Sequence, residues 1–201
     1  MGQQLSLADA CARSARYGRA SSAVFLDRDG TIARDVPYCS RPEDFELFPR
    51  VPEAIRLLRD AGYAVVLVTN QSGVARGYFT ERDLARIHDK LLTELSRRGA
   101  PLDAVYYCPH HPDDGCSCRK PQPGLILEAA RELQIDLTSS YMVGDTPADV
   151  GAGQSAGCRT VLVGDAELAA GQAPDFAATD LLAAARWICA QPANGPAGGQ
   201  A

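Results

Sequence analysis

The sequence predicts an α/β fold: a Rossmann-like parallel sheet with helices on both faces. Three observations predict it. Short apolar runs, bounded by turn residues, have the length and flanks of buried strands. They alternate with segments of helical periodicity, the pattern of strand–helix–strand crossovers. Polar clusters then follow the strand ends, at Asp27 and Asp29, at Thr69 and Asn70, in a Cys/His loop after Tyr107, and at Asp145. In such folds ligands gather beyond the carboxyl ends of the strands.

Residues 1–20 are rich in Ala, Arg and Ser without a strong pattern, and read as a frayed helix or loose tail. Residues 22–27 (SAVFLD) form the first strand. Pro37, Pro42 and Pro49 make residues 31–49 an irregular excursion. Pro52 suits a first helical turn, Ile55, Leu57 and Leu58 follow, and Gly62 closes the helix. Residues 64–69 (AVVLVT) are the second strand, and 70–79 a glycine-bearing loop. Thr80 with Asp83 fits a capping box ahead of Leu84, Ile87, Leu91, Leu92 and Leu95 at helical spacing, and Gly99 ends that helix. Residues 104–107 are a third strand and 141–144 a fourth. Pro123 opens a helix running to about Leu133. Residues 147–156 make a short helix, 160–163 a fifth strand, and 181–189 a possible last helix before a Pro/Gly/Ala end. The organisation expected is an extension over 1–20, one domain over 21–190, and a flexible tail over 191–201.

Composition narrows the function classes. The chain has 201 residues, 20 basic against 25 acidic, for a net charge of −5. No cationic excess is available for phosphate backbones or anionic membranes, so neither nucleic acid nor a membrane is an expected partner. No apolar run is long enough to span a bilayer, and the first 20 residues lack the apolar stretch of a secretory signal. A cytoplasmic monomer is expected. Of the seven cysteines, Cys108, Cys116 and Cys118 cluster with His110 and His111 in one short loop. Cys39, Cys158 and Cys189 have no evident partner.

The segment Asp27-Arg28-Asp29-Gly30-Thr31 sets two carboxylates two positions apart at the end of a buried strand. Asp27 is placed to attack a phosphoryl group as nucleophile. Asp29 is placed to protonate the leaving oxygen and then to deprotonate water. Two carboxylates meeting a phosphate repel it unless a cation is present, which implies Mg²⁺. Thr69 can donate a hydroxyl to a phosphoryl oxygen, Lys120 can counter its charge, and Asp145 can complete the metal shell. Singly these residues also read as a turn pair, a strand former, a solvated cation and a turn former; their order and shared place after strands are what that reading leaves unexplained.

The second constellation, running from Cys108 to Cys118, offers three thiolates and one imidazole, His110 or His111, for a closed tetrahedral Zn²⁺ site. With no open position, such a zinc braces a loop. The loop runs directly into Arg119 and Lys120, so it would fix those cations over a phosphate. His88, on the apolar face of its helix, reads as a core-edge residue.

DRDGT, the strand ending in Thr69, Lys120, and Gly144-Asp145 with Asp149 four positions on resemble, in order, the four motifs of the haloacid dehalogenase superfamily of aspartyl phosphatases. That resemblance implies an aspartyl-phosphate intermediate. It also implies Mg²⁺ held by Asp27, by the backbone carbonyl of Asp29 and by Asp145, with Asp149 supporting from behind. The segments 69–80 (TNQSGVARGYFT), 106–112 (YYCPHHP), 118–124 (CRKPQPG) and 141–145 (YMVGD) are similar to the D-glycero-D-manno-heptose 1,7-bisphosphate 7-phosphatase family, over roughly residues 22–164. The resemblance takes His110 as the fourth zinc ligand, with Cys108, Cys116 and Cys118. It implies a phosphorylated sugar as substrate and a place in nucleotide-activated heptose biosynthesis. The related histidinol-phosphate phosphatases share the short spacing between His110 and Cys116, whereas residues 71–77 read like the heptose family. The intervals Asp27–Thr69 and Thr69–Lys120 leave no room for a separate cap domain. Substrate contacts therefore fall to a flap, where Asp35, Val36, Pro37 and Tyr38 line the sugar, and to Asn70, Gln71, Ser72 and Arg119. Thr146, which stands where several members carry lysine, is kept in the same set. A polynucleotide 3′-phosphatase and a non-catalytic zinc-stabilised binding protein are the rival readings; the acidic charge opposes the first, and the presence of Asp27, Asp29 and Lys120 the second.

Overall fold

A computed structural model of the chain describes residues 22–168 and 172–192. The expected extension over 1–20, and all but the first two residues of the expected tail, lie outside the described residues. Six strands form one parallel sheet: β1 (Ala23–Leu26), β2 (Ala64–Asn70), β3 (Ala104–Cys108), β4 (Tyr141–Gly144), β5 (Arg159–Val163) and β6 (Phe176–Ala178), in the order β3-β2-β1-β4-β5-β6. The helices between them are α1 (Val51–Asp60), α2 (Glu81–Arg97), α3 (Gly124–Leu133), α4 (Pro147–Ala156) and α5 (Leu181–Ala190). The strand order reverses between β1 and β4, so the crevice for a ligand opens beyond their carboxyl ends.

The middles of the strands are apolar because both faces are covered, and polar residues such as Thr69, Asn70 and Arg159 stand at their ends. Val24 and Leu26 of β1, with Val65, Leu67, Val143 and Val161, face a core completed by Ile55 and Leu58 of α1, Leu91 of α2 and Leu182 and Ile188 of α5. Ala23 and Phe25 point the other way, with Val66, Val68 and Met142, onto Leu125, Ile126 and Ala129 of α3 and Ala152 of α4. At α2, the Thr80 hydroxyl accepts from the Asp83 amide and the Asp83 carboxylate accepts from the Thr80 amide, as the capping-box spacing predicts.

The excursion between β1 and α1 stays small. A 3₁₀ turn at Pro42–Asp44 and an isolated bridge between Ala33 and Leu47 are its regular features, and it forms a flap rather than a separate domain. β6 is the strand that the apolar pattern misses. It is three residues long, reads Phe-Ala-Ala, and is a strand only because it pairs with β5.

Candidate active site

The end of β1 carries Asp27 into the crevice, where its amide donates to the Val143 carbonyl at 3.0 Å. The chain then turns at Gly30, with φ of +79°. A side chain there would be strained by the left-handed backbone and would overlap the Asp145 carboxylate. Gly144 plays the same part below: a Cβ would overlap Asp149. These close approaches bring the Asp27, Asp145 and Asp149 oxygens within 4.8 Å of one another.

Lys120 reaches this group from the loop after β3. Its Nζ lies 2.6 Å from Asp27 Oδ1, 2.6 Å from Asp149 Oδ1, and donates to the Val68 carbonyl at 3.0 Å. The Lys120 backbone is clamped by Asn70, whose Nδ2 donates to the Lys120 carbonyl and whose Oδ1 accepts from the Lys120 amide, each at 3.1 Å. Asp149, at the start of α4, also accepts from the Thr146 amide and hydroxyl at 3.0 and 2.6 Å. It pairs with the same Lys120 ammonium as Asp27 and is not among the lining residues of the cleft.

Burial is the largest influence on Asp27 and pushes its pKa to about 7 despite the pull of Lys120; the Asp149 charge adds to the rise. Burial, then the Asp149 charge, likewise raises Asp145 to about 6. Burial works to lower Lys120, but Asp149 and Asp27 outweigh it and hold the ammonium above the ordinary lysine value. When all four carboxylates (Asp27, Asp29, Asp145, Asp149) are ionised they face two cations, Arg28 and Lys120, and the raised Asp27 and Asp145 reflect burial together with that crowding. The surplus of two negative charges, on hard oxygen ligands, fits a divalent cation of the Mg²⁺ type.

A cleft of about 410 Å³ opens over these residues. It is lined by Asp27, Asp29, Thr69, Lys120 and Asp145, and by the expected sugar contacts Asp35, Val36, Pro37, Tyr38, Asn70, Gln71, Ser72 and Thr146. Arg119 is not among its lining residues; its Nη1 is buried and has no hydrogen-bond partner among the described residues. The Thr146 hydroxyl donates to Asp149 rather than into the cleft, and both ends of the Asn70 amide are engaged with Lys120. At the rim, Tyr38 adopts φ of +51° and its ring meets Tyr78 edge-on at 4.5 Å. A larger cavity of about 530 Å³ shares only Asp145 with this cleft and contains neither Asp27, Thr69 nor Lys120, so the carboxylate–lysine cluster opens into the smaller one.

Sequence reasoning missed one cleft residue of consequence. Arg28 is 1% exposed and bonds to Asp29 and Gln71. The available signal was a charged residue immediately after a buried strand, flanked by two carboxylates. His88 is buried nearby; burial first, and then the Arg28 charge, lower it to about 3, so it stays neutral.

Below the cleft, Cys108, His110, Cys116 and Cys118 converge. Cys108 Sγ lies 3.5 Å from His110 Nδ1 and 3.6 Å from Cys116 Sγ; Cys118 Sγ lies 3.1 Å from His110 Nδ1 and 3.4 Å from Cys116 Sγ. Ligands on a tetrahedral zinc, at about 2.0–2.3 Å from the metal, stand roughly 3.3–3.8 Å apart, so the donor set could hold Zn²⁺. Burial raises the Cys108 and Cys118 thiols, and a bound cation is what would ionise them. His111 is used differently: its Nδ1 accepts from the Asp113 amide at 3.3 Å and caps the turn Pro112–Asp114.

Comparison with known proteins places this geometry. A HAD-hydrolase-like family model matches residues 117–184. A D-glycero-beta-D-manno-heptose-1,7-bisphosphate 7-phosphatase of Photorhabdus laumondii is 50% identical over 135 residues, covering 64% of this chain and 72% of the relative. The enzyme of the same name from Yersinia pestis is 46% identical over 145 residues, covering 69% and 77%. The crystal structure of D,D-heptose 1,7-bisphosphate phosphatase from B. bronchiseptica, complexed with magnesium and phosphate, is 38% identical with a TM-score of 0.75, covering 83% of this chain and 97% of that one.

Proposed function

The chain belongs to the D-glycero-D-manno-heptose-1,7-bisphosphate 7-phosphatase family of HAD-like hydrolases, and from that premise we propose that it removes the C7 phosphate of the heptose bisphosphate through a phosphorylated Asp27. It is a phosphoric monoester hydrolase. The observation that carries the mechanism is the Lys120 ammonium 2.6 Å from Asp27, beside a cluster of carboxylates with surplus negative charge.

An Asp27 oxygen attacks phosphorus, and the bond to the C7 oxygen breaks as Asp29 gives that oxygen a proton. Water then attacks the phosphoryl group, its proton passes to Asp29, and the bond to Asp27 breaks to release inorganic phosphate. Thr69 and Lys120 hold the phosphoryl oxygens in both steps. Asp27, the Asp29 carbonyl and Asp145 would hold Mg²⁺, which supplies charge neutralisation for an anionic nucleophile meeting an anionic substrate. Cys108, His110, Cys116 and Cys118 would hold a structural Zn²⁺. The flap residues Asp35–Tyr38 with Gln71 and Ser72 grip the sugar, and Arg119, Asn70 and Thr146 support the same site. Residues 21–190 form the catalytic unit, a cytoplasmic monomer acting in nucleotide-activated heptose biosynthesis.

The short zinc loop favours histidinol phosphate as a second reading. Steady-state kinetics with Mg²⁺ on both anomers of the heptose bisphosphate, against histidinol phosphate, separates them. The expected result is a kcat/KM preference of about 100-fold for a heptose anomer, roughly 2.7 kcal/mol of transition-state discrimination. A preference for histidinol phosphate overturns the substrate. Asp27→Asn should abolish turnover, and an active variant overturns the mechanism.

A further inference from the structure

Arg28 is among the most buried side chains of the molecule, 1% exposed, although it is charged. Burying a guanidinium is costly unless its donors are spent on specific partners, and here Nε and Nη2 are spent while Nη1 is buried with none among the described residues. Its Nε donates to Asp29 Oδ1 at 3.0 Å and to Oδ2 at 3.1 Å, and its Nη2 donates to Asp29 Oδ2 at 2.9 Å. The same Nη2 donates to Gln71 Oε1 at 3.0 Å. Gln71 Nε2 in turn donates to Asp29 Oδ2 at 3.0 Å and to Thr69 Oγ1 at 2.9 Å.

The direction of this network follows from donor chemistry. A guanidinium only donates, so the Gln71 carbonyl oxygen must face it. That fixes the amide, and its NH₂ group must face Asp29 and Thr69. The Thr69 oxygen then accepts a bond from behind, which leaves its own proton to point elsewhere. Asp29 Oδ2 receives three donors and Oδ1 only the shared Nε, so Oδ1 is the oxygen with lone pairs left to carry a proton.

We infer that Arg28 is a positioning residue that, directly and through the Gln71 amide, fixes the orientation of both the Asp29 carboxylate and the Thr69 hydroxyl. The inference rests on the proposed acid–base role of Asp29. Lysine could not replace Arg28, because a single ammonium does not present the planar fork that engages two carboxylate oxygens and an amide together.

The test is a double-mutant cycle on the Mg²⁺-supplemented enzyme with the heptose bisphosphate, in wild type, Arg28→Met, Asp29→Asn and the double variant. Arg28→Met is expected to lower kcat roughly tenfold to a hundredfold, as loss of a charge-assisted hydrogen bond implies, with KM held within about threefold. In the Asp29→Asn background the same change should cost clearly less than in the wild type, because the proton-transfer part of its effect is gone and only the Thr69 part remains. Arg28→Lys should fall with Arg28→Met, and it carries the cycle if the methionine variant does not fold, with thermal melting as the check. Equal losses in both backgrounds, or wild-type kcat in Arg28→Met and Arg28→Lys, overturn the inference while leaving the phosphatase reading intact. A fully active Asp29→Asn overturns the role of Asp29 itself, and the inference with it.

Discussion

Asp149 does not line the cleft, yet two features of the site depend on it, the Lys120 anchor and the Thr146 cap, and replacing it separates them. Its side chain is 1% exposed, stands 2.6 Å from the Lys120 ammonium, and accepts from the Thr146 amide and hydroxyl. Asp149→Asn keeps an oxygen for the cap and removes the charge; Asp149→Ala removes both. Stranding one member of a buried ion pair costs about 3–5 kcal/mol. Lys120 keeps Asp27 at 2.6 Å, so the asparagine variant should lose less, about 1–3 kcal/mol in the range of a charged hydrogen bond. At about 2–4 °C per kcal/mol for a chain of this size, that lowers Tm by roughly 2–12 °C. The alanine variant should lose a further ~1 kcal/mol for the missing cap. Activity should separate differently. Both variants remove an anchor of Lys120, and a misplacement of about 1 Å costs about 100-fold in rate, so both should fall together by about that factor in kcat. Melting curves and Mg²⁺-dependent phosphate release measure the two effects on the same preparations. Wild-type kcat in Asp149→Asn would refute the reasoning, because Lys120 would then need only Asp27 to stay in place.

Two further outcomes are expected. His88, lowered to about 3 in the folded chain against about 6.5 unfolded, binds its proton more readily when unfolded, so its contribution to stability is full above pH 6.5 and is lost as pH falls toward 3. At pH 5 the loss is about 2 kcal/mol, and His88→Leu should flatten the fall in Tm between pH 7 and 5 by roughly 4–8 °C; parallel curves for the two proteins would contradict this. Elemental analysis should find one zinc per chain, lost in Cys116→Ser, and a zinc chelator should lower Tm and kcat together, with recovery on adding zinc but not magnesium; full activity in a zinc-free, folded protein would separate the loop from catalysis.

The sheet was legible because strands buried on both faces must be written as apolar runs, and the residues closing each run mark its mouth. Thr80 with Asp83 was legible because a cap is a local bond. β6 was not, since Phe-Ala-Ala becomes a strand only through its neighbour β5. Arg28 escaped for the opposite reason: a charge in sequence reads as solvated, and only the folded chain buries it against Asp29 and Gln71. The resemblance already takes His110 over His111, and the chain path supplies the physical reason: the turn at Pro112 takes up the His111 ring and leaves His110 with the thiols. Asn70 was legible as a cleft residue, whereas its grip on the Lys120 backbone joins two loops whose approach no spacing rule supplies.

That grip gives a reason for a closed metal site, if the Cys/His cluster holds one, to stand beside a phosphatase cleft. Lys120 is two residues past Cys118, on a loop that is itself neither helix nor strand. The Cys108 carbonyl accepts from the Gln71 amide at 2.7 Å, and the Pro109 carbonyl from the Ala75 amide at 3.2 Å. The Ser117 carbonyl accepts from the Gly124 amide at 3.0 Å, an approach that a Cβ at position 124 would block. Asn70 closes the circuit on Lys120 itself. A bound zinc would therefore join the end of β3 to the start of α3 and clamp, between them, the loops carrying Gln71 and Lys120. Lys120 and Thr69 must stand ready for the phosphoryl group before it arrives, since donors that reorganise during the reaction give back the energy they supply. A fold without a cap domain to close over its substrate would gain that rigidity through a zinc-linked loop.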